Sequence, residues 1–227
     1  MGFRLLATVA ALMIGMNAAA QAQDPGTIYV VTYVDVQPPA KAKAAALVAA
    51  FRDASRKDEG NLRAEAVERA SRPGQFAVLT AWKDQKALDA HAASAHAKAF
   101  RDGIQPLRAS PLDDRIHTGL SIGNAEPARA GRAVYVVTHV DVVPPRKDDA
   151  VGLLKALGEA SRKEDGNLRY EVVQQTNRPN HFTVVEMWSG QEAFEAHGMA
   201  AHVRDFRDKI APMSGALYDE RLFRELN

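Results

Sequence analysis

The chain has 227 residues, 46% apolar and 25% charged, with 11 prolines and 15 glycines, which is typical of a globular protein and excludes a disordered or fibrous chain. Lysine plus arginine total 29 against 28 acidic residues, without a long basic run, which argues against nucleic acid as the main partner. The absence of cysteine excludes a thiol nucleophile, a cysteine zinc site, disulfide bonds and lipid attachment to cysteine.

The first residues have the pattern of a secretory signal peptide. Arg4 precedes the apolar stretch 5–16, and Ala20-Gln21-Ala22 has the small-x-small form of a cleavage site. The apolar stretch is shorter than the roughly 20 residues that span a bilayer, so we predict no membrane span. We therefore expect residues 1–22 to be a signal peptide and the mature protein to be periplasmic or secreted. An uncleaved anchor is the alternative.

Two copies of one unit make up the rest of the chain. Residues 29–117 align without a gap to residues 135–223, and 41 of these 89 positions are identical. The intervening segment is rich in Gly, Pro and Ala and has no periodicity, which indicates a linker. The predicted organisation is a first domain at 23–118, a linker at 119–133 and a second domain at 134–227.

Within each repeat, strand and helix patterns alternate. The first segment is β-branched and aromatic and is apolar on both faces, as in a strand buried on both sides. The predicted elements of the first repeat, in chain order, are a strand at 29–36, a helix from Pro38 to Gly60, strands at 62–67 and 76–82, one helical segment through Phe100, and a strand at 112–118.

This order is the ferredoxin-like βαββαβ arrangement, and the fold class is α+β. Its two helices cover one sheet face, so the apolar opposite face needs a second sheet, which the second repeat supplies. We therefore predict two tandem ferredoxin-like units that form a pseudo-dimeric α/β barrel. A monomer is then sufficient, because the pairing is intramolecular.

A set of motifs in the second repeat resembles one known family. The residues that carry the resemblance are Gly166-Asn-Leu-Arg-Tyr-Glu171, Glu186-Met-Trp188, His197, His202 and Phe206. They are similar to the antibiotic-biosynthesis-type monooxygenases, which are dimeric α/β barrels. The first repeat matches at Gly60, Leu62, Arg63, Glu65, Trp82, His91, His96 and Phe100, but has Ala64 for the Tyr and Thr80 for the Glu.

The resemblance implies cofactor-independent oxygenation of a small phenolic or quinol-like substrate by molecular oxygen. A phenolate can pass an electron to oxygen directly, so the protein needs an apolar cavity and a group that takes the phenol proton. A histidine suits that role. The alternative is a periplasmic binding or protective module without turnover. Haem degradation is the less favoured enzymatic alternative, because Thr32, His91 and Arg101 stand where the haem-degrading pattern needs other residues.

The two repeats differ at a pair of positions on neighbouring strands. Tyr33 and Thr80 of the first repeat become His139 and Glu186 in the second. A histidine and a carboxylate together could form a dyad that serves as a base, so we predict that the second repeat holds the working site. The predicted catalytic residues are His139, Glu186, His197 and His202. The predicted substrate-binding residues are Trp188, Tyr170, Trp82, His91, His96 and Tyr33.

Other interpretations of these residues remain open. The tryptophans and histidines could serve core packing or helix hydrogen bonding instead. Two histidines five residues apart on one continuous helix point about 140° from each other, so we predict no metal site. The acidic pairs that begin at Asp58 and Glu164 are interpreted as solvated loop residues. Arg63 and Glu65 share one strand face and are interpreted as a solvent or interface pair.

Overall fold

The structure, a computed structural model, describes residues 26–125 and 132–226. The predicted signal peptide lies outside the described residues. The elements of the first repeat are β1 (Ile28–Asp35), α1 (Lys41–Ser55), β2 (Asn61–Arg69), β3 (Gln75–Trp82), α2 (Gln85–Ala92), α3 (Ala95–Ile104) and β4 (Asp113–Ser121). Those of the second are β5 (Val134–Asp141), α4 (Lys147–Ser161), β6 (Asn167–Gln175), β7 (His181–Trp188), α5 (Gln191–Met199), α6 (Ala201–Ile210) and β8 (Asp219–Glu225).

The eight strands close into one antiparallel barrel. Their order around the barrel is β1-β3-β2-β8-β5-β7-β6-β4. Each repeat contributes four strands, and β2 with β8 and β4 with β6 join the two repeats. Strand β4 continues to Ser121, three residues into the segment predicted as linker. The predicted pseudo-dimeric barrel is confirmed.

The alternating side chains of each strand enter two different cores. One face of the strands fills the barrel interior, where Val31, Val137 and Met187 pack together. The other face packs against the helices outside, with Phe76 against the first-repeat helices and Phe182 against those of the second. The first strand of each repeat is apolar on both faces because both of its faces are buried.

Charged residues of the two repeats pair inside the barrel. Arg63 donates two hydrogen bonds to the Glu171 carboxylate, at 2.9 and 2.6 Å. The repeat-related pair, Arg169 and Glu65, lies at 2.8 Å. Of the two interpretations of Arg63 and Glu65, a solvent pair or an interface pair, the structure favours the second, and the interface is the one between the repeats.

The second helical segment of each repeat is broken, although the sequence predicts one helix. In the second repeat, α5 and α6 are separated by Ala200, whose backbone is extended (φ −64°, ψ 143°). In the first repeat, Ser94 is extended in the same way and caps α3 by accepting from the Ala97 N–H.

Among the described residues, the helices are all too short or too polar to cross a membrane.

Candidate functional site

A histidine and carboxylate cluster lies where the helices of the second repeat meet the sheet. Glu164 stands in the turn between α4 and β6, and its Oε1 accepts from Nδ1 of His197 at 2.6 Å. Nε2 of His202 lies 3.0 Å from the same oxygen. His197 lies in the last turn of α5 and His202 in the first turn of α6, so the interruption between these helices brings both imidazoles to one carboxylate.

The first repeat carries the same cluster with aspartate as the acid. Oδ2 of Asp58 lies 2.7 Å from His91 Nδ1 and 3.0 Å from His96 Nε2. The His91 ring also packs on Trp82, with 4.4 Å between the ring centroids. His197 and Trp188 repeat this contact at 4.5 Å. Each repeat therefore holds an imidazole between an indole ring and a carboxylate.

A cavity of about 220 Å³ opens beside the first cluster. It lies between the outer sheet face and helices α2 and α3. Its apolar lining includes Val30, Phe51, Val78, Trp82, Leu88, Phe100, Leu112 and Ile116, and its polar lining consists of Thr32, Thr80, Gln85, Asp89, His91, Arg101 and Asp114. An engineered cavity of about 150 Å³ accepts benzene, so this cavity has room for one substituted aromatic ring.

Two positions that line the first-repeat cavity carry smaller side chains than their counterparts in the second repeat. Thr80 stands where the second repeat has Glu186, and Leu112 stands where it has Tyr218. Glu186 accepts from the Trp188 indole N–H at 2.8 Å, and its carboxylate lies 3.6 Å from His197 Nε2. In the first repeat, the short Thr80 side chain accepts the indole N–H of Trp82 at 2.9 Å.

Burial controls the protonation of these groups. Desolvation lowers the pKa of His91 and of His197, and the neighbouring carboxylates oppose this effect. Both imidazoles are therefore neutral bases near neutral pH. Since Nδ1 of His91 faces Asp58, the proton belongs on that nitrogen, and Nε2 can accept a proton from a ligand in the cavity. Burial raises the pKa of Glu186 to about 8.

The predicted dyad of His139 and Glu186 is wrong. Strands β5 and β7 are neighbours, as expected, but His139 pairs with Thr183 while Glu186 pairs with Val136. The two residues are three positions apart in register, so their side chains lie on opposite faces of the sheet. His139 enters the barrel interior, whereas Glu186 faces the helices.

His139 instead contacts its own repeat counterpart. The Tyr33 hydroxyl lies 2.7 Å from His139 Nε2. A chain of polar groups continues from His139 Nδ1 to Thr183 Oγ1 at 3.3 Å and to His117 Nε2 at 3.0 Å. Tyr33 also lines a cavity of about 240 Å³ at the barrel end, away from the histidine clusters. The structure thus does not bring Tyr33 or His139 to the helix-side cavity.

The remaining predicted residues fall into two groups. Trp82 and His91 line the first-repeat cavity, and His96 lies behind His91 on Asp58. Trp188, Tyr170, His197 and His202 lie together in the second repeat, where the Tyr170 ring is 5.7 Å from that of His197. Tyr170 and Trp188 are fully buried and belong to the core on the helix side of the barrel.

Sequence reasoning missed the two acidic residues that hold the clusters together. The interpretation of Asp58 and Glu164 as solvated loop residues is wrong, because both carboxylates contact buried histidines. One signal was present: this position stays acidic in both repeats although the residue changes, and a glycine follows two residues later. Gly60 and Gly166 have φ of 80° and 81°, which shapes the turn that carries the acid.

The geometric argument against a metal site also fails. It assumed a continuous helix, on which two histidines five residues apart diverge. The extended backbone at Ser94 and at Ala200 ends that helix and turns the second histidine back toward the first. The three ligand atoms of each cluster consequently lie within 4.8 Å of one another.

Two ferredoxin-like repeats form one closed barrel, and each repeat holds a cluster of histidine, indole and carboxylate groups under its helices. This architecture is that of a fused dimeric α/β-barrel protein. The sequence profile described as Antibiotic biosynthesis monooxygenase matches residues 27–103 and again residues 133–209. The chain therefore belongs to the antibiotic biosynthesis monooxygenase family, with two family domains in tandem.

The chain is also similar to individual known proteins. The proposed monooxygenase YcnE of Bacillus subtilis (strain 168) is 28% identical over 86 residues, covering 38% of this chain and 90% of its own length. A 4-hydroxy-5-phosphonooxypentane-2,3-dione isomerase of Klebsiella pneumoniae is 26% identical over 38% of this chain and 89% of its own. A crystal structure of a proposed monooxygenase of Fusobacterium nucleatum superposes with a TM-score of 0.80 at 16% identity, covering 89% and 93% of the two chains, and shows the same fold.

Proposed function

We propose that the protein is a cofactor-independent monooxygenase of small phenolic or quinol-like molecules, and that its reaction takes place in the first-repeat cavity. The observation that carries the proposal is that this cavity joins an apolar wall to one neutral, oriented imidazole. The second repeat, which the sequence favoured, has Glu186 and Tyr218 where the first has Thr80 and Leu112. The first repeat is therefore the better candidate.

The proposed role of His91 follows from its contacts. Asp58 fixes the ring by accepting from Nδ1, and Trp82 fixes its plane. Nε2 takes the phenolic proton, and the resulting phenolate is electron-rich enough to react with oxygen. In a phenol with a free opposite position, one oxygen atom enters the ring carbon opposite the phenol oxygen and the other leaves as water, so that the phenol becomes a quinone. In a hydroquinone, the oxygen atom enters a neighbouring ring carbon that carries hydrogen, and the products are a hydroxyquinone and water. The apolar wall keeps water from the reactive phenolate.

Oxygen consumption by the purified protein tests this proposal, with a panel of monocyclic and bicyclic phenols and hydroquinones. His91→Ala should lower the rate about 10²–10⁴-fold, which is the usual loss of a general base. The matched change in the second repeat, His197→Ala, should leave the rate within the same order of magnitude. Equal losses would place the reaction elsewhere. Ligand binding without oxygen uptake would instead identify a binding module.

We also propose that the protein is exported and that residues 1–22 are removed. The order of Arg4, the short apolar stretch and Ala20-Gln21-Ala22 supports this. Mass spectrometry of the protein from a periplasmic extract should show an N-terminus near Gln23. An intact Met1 in that fraction, or retention in the cytoplasm, would contradict the proposal.

A further inference from the structure

Three metal-binding side chains converge in the second repeat on atoms that suit one ion. Oε1 of Glu164 lies 2.6 Å from His197 Nδ1 and 3.0 Å from His202 Nε2. The three side chains come from three different elements, the α4–β6 turn, the end of α5 and the start of α6. His197 is nearly buried and His202 is partly exposed, so the cluster has one protected side and one open side.

The spacing of these atoms is close to that around a zinc ion. Bonds of about 2.0–2.1 Å in a tetrahedral site place ligand atoms about 3.3 Å apart. The two oxygen to nitrogen distances in the second repeat, 2.6 and 3.0 Å, are about 0.7 and 0.3 Å shorter, so side-chain rotations have to move the ligand atoms apart when an ion binds. In the first repeat, the corresponding three distances are 2.7, 3.0 and 3.4 Å. The arrangement is thus built twice in the chain.

The second repeat also supplies an outer carboxylate. When a histidine binds a metal through one ring nitrogen, the other N–H usually donates to a carboxylate or carbonyl group. Nε2 of His197 faces Glu186 at 3.6 Å, and the indole N–H of Trp188 holds that carboxylate in place. Thr80 occupies this position in the first repeat, so His91 has no such carboxylate.

The charged groups around the two clusters are otherwise matched. Glu164, Glu220 and Arg207 interact with the second cluster. At the equivalent positions, the first repeat has Asp58, Asp114 and Arg101. The difference between the two clusters is therefore Glu186, which only the second repeat places beside a histidine.

We propose that Glu164, His197 and His202 form a binding site for a divalent transition metal ion of the zinc type, with Glu186 as the outer residue that orients His197. Two imidazoles and one carboxylate leave a fourth position open on the side of His202. The proposal is independent of the oxygenation reaction, because that reaction is assigned to the other repeat. It makes the second repeat a metal-binding domain and the first a substrate-binding domain.

Metal titration of the full chain tests this site without any measurement of activity. Protein stripped with a chelator should bind one equivalent of Zn²⁺ tightly in a calorimetric titration, and Mg²⁺ should not compete, since Mg²⁺ prefers oxygen ligands. With Co²⁺, visible absorption bands should report nitrogen coordination. His202→Ala should abolish the tight binding of this one Zn²⁺ equivalent. Glu186→Gln should lower the Zn²⁺ affinity about 10–100-fold, which is the usual effect of replacing a residue that orients a metal ligand.

Two matched variants separate this site from incidental binding by histidine. His96→Ala alters the equivalent cluster of the first repeat, and His181→Ala removes a histidine that pairs with Asp141 at the barrel end. Both variants should still bind one equivalent of Zn²⁺ tightly. Circular dichroism checks the fold of every variant. The proposal is overturned if the wild type binds no equivalent of Zn²⁺ tightly, or if His202→Ala binds Zn²⁺ as tightly as the wild type does. In either case the cluster is only a hydrogen-bonded group.

Discussion

The carboxyl group of Glu186 is buried against Trp188, and this burial raises its pKa to about 8. In the unfolded chain the same group titrates near 4.5. Between these two pH values the folded protein holds a proton that the unfolded chain releases, so this residue makes stability fall as pH rises from about 4.5 to about 8.

Replacing Glu186 with glutamine removes this dependence, because glutamine does not titrate and can still accept from the Trp188 indole. We expect the melting temperature of Glu186→Gln, relative to the wild type, to rise as pH increases from 5 to 8. Thermal unfolding of both proteins in chelator, across this pH range, provides the measurement. A constant difference between the two curves would show that Glu186 is already ionised in the folded protein.

His117 gives the opposite pH dependence. It is buried in the barrel interior with Nε2 near Thr183 Oγ1, and burial lowers its pKa from 6.5 to about 4. Below pH 6.5 the His117 imidazole binds a proton in the unfolded chain but stays neutral in the folded protein. The free energy of unfolding therefore decreases as pH falls toward about 4. His117→Gln should reduce that loss by roughly 1–3 kcal/mol between pH 7 and 4. Urea unfolding at several pH values tests this, and parallel curves would contradict it.

At the scale of elements, the turns before β2 and β6 decide where the two acidic residues stand. Gly166 adopts φ of 81°, and a Cβ there would lie 2.7 Å from the Ala193 Cβ in α5. Gly166→Ala should therefore lower the free energy of unfolding by at least roughly 1–2 kcal/mol, which is the usual cost of a left-handed residue with a side chain. Urea unfolding measures this change.

Gly152 offers the matched control in α4. A Cβ at this position has no heavy atom within 4 Å, and the residue has an ordinary helical conformation. Gly152→Ala should raise stability by roughly 0.5–1 kcal/mol, because alanine favours a helix over glycine. Similar effects of the two substitutions would mean that the turn at Gly166 relaxes freely and does not fix Glu164.

At the scale of the whole molecule, buried ion pairs connect the two repeats. Arg63 and Glu171 form a two-bond pair across the barrel interior, and the Glu171 side chain is only 3% exposed. Arg63→Met leaves this carboxylate without its main partner and should cost about 3 kcal/mol. Arg63→Met combined with Glu171→Met should recover much of that loss, because no buried charge then remains unpaired. Chemical denaturation of the single and double variants measures both.

An exposed pair provides the comparison. Lys98 and Asp102 lie on α3 with side chains 72% and 62% exposed. Lys98→Met should change stability by less than about 0.5 kcal/mol, since solvent screens such pairs. If Arg63→Met cost no more than this, the barrel would be held by apolar packing and strand pairing alone.

The sequence by itself determined the repeat, the βαββαβ order and the closed barrel. These follow from local patterns: a gapless duplication, strand and helix periodicities, and a first strand that is apolar on both faces. The resemblance of its motifs to a known family also predicted Trp82, His91, Trp188 and His197 as site residues, and the structure places each of these histidines against the tryptophan of its own repeat.

Only the tertiary structure decided which of these residues meet. Strand register separates His139 from Glu186, since a shift of an odd number of residues moves a side chain to the other face. One extended residue, Ala200, breaks a helix that periodicity alone would continue, and so brings His202 to Glu164. Such contacts join residues far apart in the chain, and they depend on backbone geometry that composition and spacing do not encode.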